Sequence, residues 1–210
     1  MKELRVLLAA SSSRHSHLCP RQVLGVRAAL VGIESLGLEV PRRDKRLLII
    51  AETDGCFVDG IEAASQATVG HRTLRVEDYG KIAATFVDTL TGKAIRVAPR
   101  QDIRHKAWYY TPDEVDPYAA QLAGYQVMPE NELFFLQDVE LKTAIEVILS
   151  TPGIRTDCDC CGEEIINQRE VIRNGLTLCR TCAGYGYYRT ISQLEAVIPA
   201  DSSPHPHRRP

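Results

Sequence analysis

The residues Arg14-His15-Ser16-His17-Leu18-Cys19-Pro20 place two imidazoles and a thiol at alternate positions, followed by a proline. In an extended segment alternate side chains point the same way, so His15, His17 and Cys19 share one side. Pro20 suits the first position of a helix, where its missing N–H would have no partner anyway. Cys19 then stands at the helix N-terminus, whose positive dipole end favours a thiolate as metal ligand or nucleophile. A second polar cluster, Glu52-Thr53-Asp54-Gly55-Cys56-Phe57-Val58-Asp59, follows the apolar run Leu47-Leu48-Ile49-Ile50-Ala51. The run is expected to be a buried strand, with Thr53 or Asp54 capping the helix after it. Cys56 is thereby expected near a second helix start. Taken singly, it reads more readily as a small buried hydrophobe.

A third group lies near the end. Cys158-Asp159-Cys160-Cys161-Gly162-Glu163 is separated by seventeen residues after Cys161 from Cys179-Arg180-Thr181-Cys182. Paired CxxC turns with such a spacer predict a closed tetrahedral zinc site. Cys158, Cys161, Cys179 and Cys182 are the expected ligands, with Cys160 a competitor for Cys161. Gly162 supplies the positive φ that such a turn needs after its second ligand. Four sulfurs leave no open position, which makes this site structural. A segment of about thirty residues cannot build its own core, so metal binding supplies the folding energy. Its charges are mixed (Glu163, Glu164 and Glu170 against Arg169 and Arg173), unlike a nucleic-acid-reading finger. Docking or dimerisation suits it better.

The elements needed to position these residues can be read in order. Lys2 to Ser12 predicts a helix with Leu4, Leu7 and Leu8 on one stripe. Pro20 to Leu36 predicts another, ending at Gly37. Its Gly25, Ala28, Ala29 and Gly32 offer small surfaces for close approach of another backbone. Strands are expected over Leu74–Tyr79, Ile82–Thr89 and Ala94–Ala98, with a hairpin tip near Thr91-Gly92. Asp102 to Tyr110 is polar and aromatic, and Thr111 to Pro117 reads as loop or helix start. Pro117 to Gly124 is expected as a short helix, and Leu133 to Leu141 as a strand running toward a helical segment that ends near Ser150. Thr151-Pro152-Gly153 marks a boundary. The expectation is an α+β main domain over 1–152 with a mainly antiparallel sheet, a four-cysteine module over 153–190, and a disordered tail over 191–210.

The chain has 210 residues, 44% hydrophobic and 25% charged, with a formal net charge of −2. A slightly acidic chain lacks a general electrostatic grip on nucleic acid. No apolar run approaches the roughly 20 residues of a membrane span. The start of the sequence is too charged, with too short an apolar run, for a secretory signal, so a reducing cytoplasm is expected. There, clustered cysteines point to metal or redox chemistry rather than disulfides.

The ordered motifs resemble the FmdE family, named for a component of formylmethanofuran dehydrogenase. Its HGHxCPG-like motif corresponds to His15-Ser16-His17-Leu18-Cys19-Pro20, and its TDxCxxD-like motif to Thr53-Asp54-Gly55-Cys56-Phe57-Val58-Asp59. TGCTxGK corresponds to Ser65-Gln66-Ala67-Thr68-Val69-Gly70-His71. Tyr79-Gly80-Lys81 and Cys161-Gly162-Glu163 follow. The resemblance runs from about residue 12 to 188. Ser16 and Arg21 stand where the family has glycine, Ala67 replaces the cysteine of TGCT, and His71 replaces its lysine. Any metal or redox work of that cysteine is lost here. The resemblance implies an α+β domain with a zinc-ribbon-like module, often dimeric. It also implies an association with molybdenum or tungsten formylmethanofuran dehydrogenase operons.

Three functional readings follow. In the first, His15, His17, Cys19 and Cys56 form a second metal site, for zinc or another borderline-soft ion, with an open position. Cys19 and Cys56 would carry the chemistry. Glu52, Asp54 or Asp59 would orient ligands or accept a proton, and Tyr79, Lys81 and Arg96 would hold an anionic group. In the second, the chain is a non-catalytic assembly subunit docking a larger oxidoreductase through the zinc module. In the third, Cys19 and Cys56 are a thiol redox pair.

Overall fold

The structure is a computed structural model and describes residues 3–13, 17–42, 44–189 and 191. The tail expected from 191 onward lies, except for Ile191, outside the described residues, as does His15. The chain divides into two compact units, Met1–Leu149 and Ser150–Pro210.

In the first unit, α1 (Leu4–Ser12) buries Leu7, Leu8 and Ser11, the stripe its spacing predicts. Helix α2 (Pro20–Ser35) starts at Pro20 and is buried on most of its surface. It ends in a Schellman turn: Gly37 N–H reaches Glu34 O, Leu38 N–H reaches Ile33 O, and Gly37 has φ +67°. Strand β1 (Leu47–Ala51) leads to α3 (Cys56–Ser65) and then β2 (Leu74–Val76). Strands β3 (Ala84–Asp88) and β4 (Ala94–Pro99) form the expected hairpin. Helices α4 (Ile103–Tyr110), α5 (Pro117–Val127) and the short α6 (Glu130–Leu133) precede β5 (Phe134–Val139) and α7 (Ile145–Leu149).

The sheet order is β2-β1-β3-β4-β5. Only the β1–β2 pair is parallel among its described pairings, and α3 makes the crossover such a pair requires. The sheet is mainly antiparallel, as expected. The residues of β3 are all buried, because α2 covers one face and a smaller apolar layer with α7 covers the other.

Helix α2 is the spine of the unit. A Cβ on Gly25 would lie 2.0 Å from Phe57 O, and one on Gly60 would lie 2.3 Å from Gln22 O. The backbones of α2 and α3 therefore touch directly. On another side, Arg27, 9% exposed, donates to the carbonyls of Tyr125 and Met128 at the end of α5. Burial lowers its pKa, and the helix-terminal carbonyls return part of the lost solvation.

The second unit has two hairpins, β6 (Arg155–Asp157) with β7 (Glu164–Ile166), and β8 (Val171–Arg173) with β9 (Leu176–Leu178). A helical turn, Thr181–Tyr185, follows. Its buried cluster is small: Cys158, Ile165, Leu178 and Ala183.

Candidate functional site

Cys19 is the N-cap of α2. Its N–H donates to Gln22 Oε1 at 2.8 Å, and Gln22 N–H donates to Cys19 Sγ at 3.4 Å. This is a capping box with cysteine in the usual serine place. Gln22 is fully buried and its Nε2 also donates to Ser11 O at 3.1 Å, tying the end of α1 to the start of α2. Cys56 is the first residue of α3. The expected cap at Thr53 or Asp54 is not what the structure shows: Gly55, at φ +72°, is the N-cap and makes no side-chain cap bond. A positive φ there favours glycine over the capping side chains.

The close packing of α2 on α3 brings the two cysteines together. The Cys56 thiol is pushed up by burial first, then by its hydrogen bond with Cys19, with Asp59 adding repulsion. Both cysteines line a cavity of about 640 Å³ with His17, Arg21, Arg100, Arg104, Tyr118 and Tyr125 on its wall. Burial, and then the two thiols, raise the Tyr118 pKa. Its hydroxyl lies 3.5 Å from Leu18 O.

Of the other residues singled out by sequence, Asp59 lies half-buried beside Cys56. Asp54, Tyr79 and Lys81 are exposed and are not on the cavity wall. Arg96 is engaged by Glu52, at 2.5 and 2.8 Å, and by Gln137 at 3.2 Å. Sequence reasoning passed over Arg100, Arg104, Tyr118 and Gln121. They come from the turn after β4 and the first turns of α4 and α5. The available signal was their place just after a strand or just inside a helix start.

In the second unit, one ligand atom from each of Cys158, Cys161, Cys179 and Cys182 lies within 4.8 Å of the others. Cys160 is exposed and outside this group. Gly162 has φ +75°, as the turn demands. The two loops are latched by Asp159 N–H on Thr177 O at 2.8 Å and Thr177 N–H on Asp159 Oδ2 at 2.6 Å. Cys179 N–H donates to Cys158 Sγ at 3.2 Å. Backbone donors, Cys179 first and then Cys161, lower the Cys158 pKa to about 6. Cys182 is instead pushed far up, first by the Cys179 sulfur. Four adjacent thiols cannot all ionise without a cation between them. The donor set therefore fits a metal ion bound by sulfur.

Residues 14–152 match the family model described as "FmdE, Molybdenum formylmethanofuran dehydrogenase operon". The probable S-adenosyl-L-methionine-binding protein of Archaeoglobus fulgidus is 28% identical over 216 residues, covering 91% of this chain and 56% of that protein. The chain thus spans a little over half the length of this curated relative. An FmdE-like protein of a tungsten formylmethanofuran dehydrogenase, from Syntrophus aciditrophicus, has a similar fold. It matches with a TM-score of 0.58 at 18% identity, over 90% of this chain and 96% of that one. With the family model spanning most of the first unit, and both cysteine motifs of that unit meeting in one cavity, the chain belongs to the FmdE family.

Proposed function

We propose that this is a metal-binding FmdE protein with two sites, acting beside molybdenum or tungsten formylmethanofuran dehydrogenase-type one-carbon metabolism. Zinc fills the Cys158, Cys161, Cys179, Cys182 site and holds the module folded. A second ion, zinc or another borderline-soft metal, is held by Cys19 and Cys56 with His17 and His15. One observation carries the second site: two cysteines 37 positions apart in sequence meet at the starts of α2 and α3 on the wall of one cavity. A bound ion there would supply Lewis acidity or an exchangeable ligand position. Gln22 would fix the Cys19 sulfur, and Asp59, beside Cys56, would orient a ligand or accept a proton. The protein works in the cytoplasm as a homodimer, with a larger oxidoreductase as partner.

The test is metal content of untagged, anaerobically purified protein beside a Cys19→Ser, Cys56→Ser double variant. Two ions per chain falling to one supports the reading. One ion in both would leave only the four-cysteine site and remove the second.

The hydrogen bond between the two thiols favours a second reading, a redox pair. Cys19 and Cys56 would give two electrons and two protons to a disulfide substrate, which leaves as two thiols. A reversible Cys19–Cys56 disulfide in metal-free protein would support this reading. The archaeal relative's name does not extend to this chain on physical grounds. S-adenosylmethionine carries net positive charge, and the cavity is lined by arginines.

A further inference from the structure

The cavity that holds Cys19 and Cys56 has a charge pattern unlike the rest of the chain. The protein has 25 lysines and arginines against 27 acidic residues. The wall contains Arg21, Arg100 and Arg104 and no aspartate or glutamate. Arg100 uses its Nε on Asn131 O at 2.8 Å and lies over the Phe135 ring, leaving its terminal nitrogens available. Among the described residues, Arg21 and Arg104 have no hydrogen-bond or ion-pair partner. Three cations gathered without a counter-charge repel one another, and an anion relieves that repulsion.

Their positions sharpen the point. Arg21 is the second residue of α2, and Arg104 the second residue of α4. A cation in a first turn opposes the helix dipole and disfavours the helix it belongs to. Neither position is explained by local stability. The same wall takes first-turn residues from α3, at Cys56, and from α5, at Tyr118. First-turn backbone favours negative charge, so arginines and helix starts act with one sign. Leu24, Ile82 and Ile103 provide an apolar floor between the arginines and the cysteines. The volume of about 640 Å³ falls in the range of sites for small organic molecules.

We infer that the cavity binds a small organic anion, its carboxylate or phosphate held by Arg21, Arg100 and Arg104, its other end directed to Cys19 and Cys56. The inference rests on the metal-pocket reading for what that other end meets. The planar guanidinium fork pairs with either oxyanion, so the shared chemistry is a terminal oxyanion on a short apolar carrier.

The test titrates the whole, metal-loaded chain by calorimetry with glycerol 3-phosphate, with glutarate, and with glycerol as the uncharged control. At least one anion is expected to bind, more weakly as salt rises, and glycerol is not. The anion that binds tells the phosphate source from the carboxylate source. Arg21→Gln and Arg104→Gln should each weaken binding about tenfold, with unchanged melting temperature, and Arg104→Lys should restore part of it. The inference is overturned if neither anion binds, if glycerol binds equally well, or if both glutamine variants bind as the parent does. Metal content of the same samples separates the two readings. Two ions without anion binding sinks this inference alone. Arginine-dependent anion binding with one ion per chain sinks the metal pocket alone.

Discussion

A single buried side chain, Gln22, positions the cysteine on which the first unit's chemistry depends. It accepts from the Cys19 N–H, presents its own N–H to the Cys19 sulfur, and donates to Ser11 O. Gln22→Leu keeps the volume but leaves a buried donor and a buried acceptor unpaired. The expected loss is about 2–3 kcal/mol of stability, measured by urea unfolding. An unchanged midpoint would show that water replaces the amide fully. Asp88 gives a second residue-scale prediction. Its carboxylate, 2% exposed, receives Arg46 at 2.8 Å through two nitrogens, with Thr91 Oγ1 and Leu90 N–H also donating. Arg46 first, then these donors, hold its pKa far below the usual range. The folded value is depressed, so its contribution is full above the ordinary carboxylate value of about 4 and fades as pH falls toward the folded value. The stability gap between the parent and Asp88→Asn should be constant near neutrality and shrink below about pH 4. A gap that persists unchanged in acid would contradict the assignment. The role of Cys19 as a helix start was legible from Pro20. The role of Gln22 was not, because a capping box is recognised by serine or threonine and cysteine hides it.

At the scale of elements, the glycines of α2 decide whether the cavity exists. The sequence shows small residues at Gly25, Ala28, Ala29 and Gly32 and so permits a close neighbour. It does not say that the neighbour is α3, met at Gly60. A Cβ on Gly60 would come within 2.3 Å of Gln22 O and 2.7 Å of Val26 N, both backbone atoms that cannot rotate away. Gly60→Ala must therefore push α3 off α2. The expected cost is about 3 kcal/mol or more. Because Cys56 rides on α3 and Cys19 on α2, the variant should also lose the proposed cavity metal while keeping the four-cysteine metal. Metal analysis and thermal unfolding on one preparation test both halves. Retention of both ions at parental stability would mean that the helices tolerate separation. The α4 helix was illegible for a physical reason. It buries only Ile103 and Ala107, so it has no apolar stripe to detect. It is held instead by tight packing, with a Cβ on Gly124 falling 3.0 Å from Ala107 O. The arginines of the cavity went unread with it. The sheet's alternation and the β3–β4 turn were local signals. The parallel β1–β2 pair is a long-range outcome that no local pattern carries.

At the scale of the molecule, the two units differ in what makes them stable. The first holds a continuous core from Leu7 to Phe134, spread over helices and sheet. The second buries Cys158, Ile165, Leu178 and Ala183, with Val171, Cys179 and Cys182 packed partly against them. That is too little apolar surface to offset the conformational entropy of ordering its loops. The remaining stability has to come from a bound ion joining the two CxxC loops, as the crowded thiols imply. Chelation should therefore unfold one unit and spare the other. Hydrogen exchange of the whole chain is expected to show loss of protection over 155–182 after removal of metal, with α2 and β3 keeping theirs. Cys158→Ser should reproduce the effect without chelator, since Cys158 is both the most buried thiol of the group and the acceptor from Cys179 N–H. Added zinc should restore exchange protection in the chelated parent. The variant, left with three thiolates, should recover only at zinc concentrations at least about tenfold higher. Equal protection with and without metal would mean that the hairpins and the Asp159–Thr177 latch suffice. The same pattern in α2 as in the module would mean that the two units unfold as one.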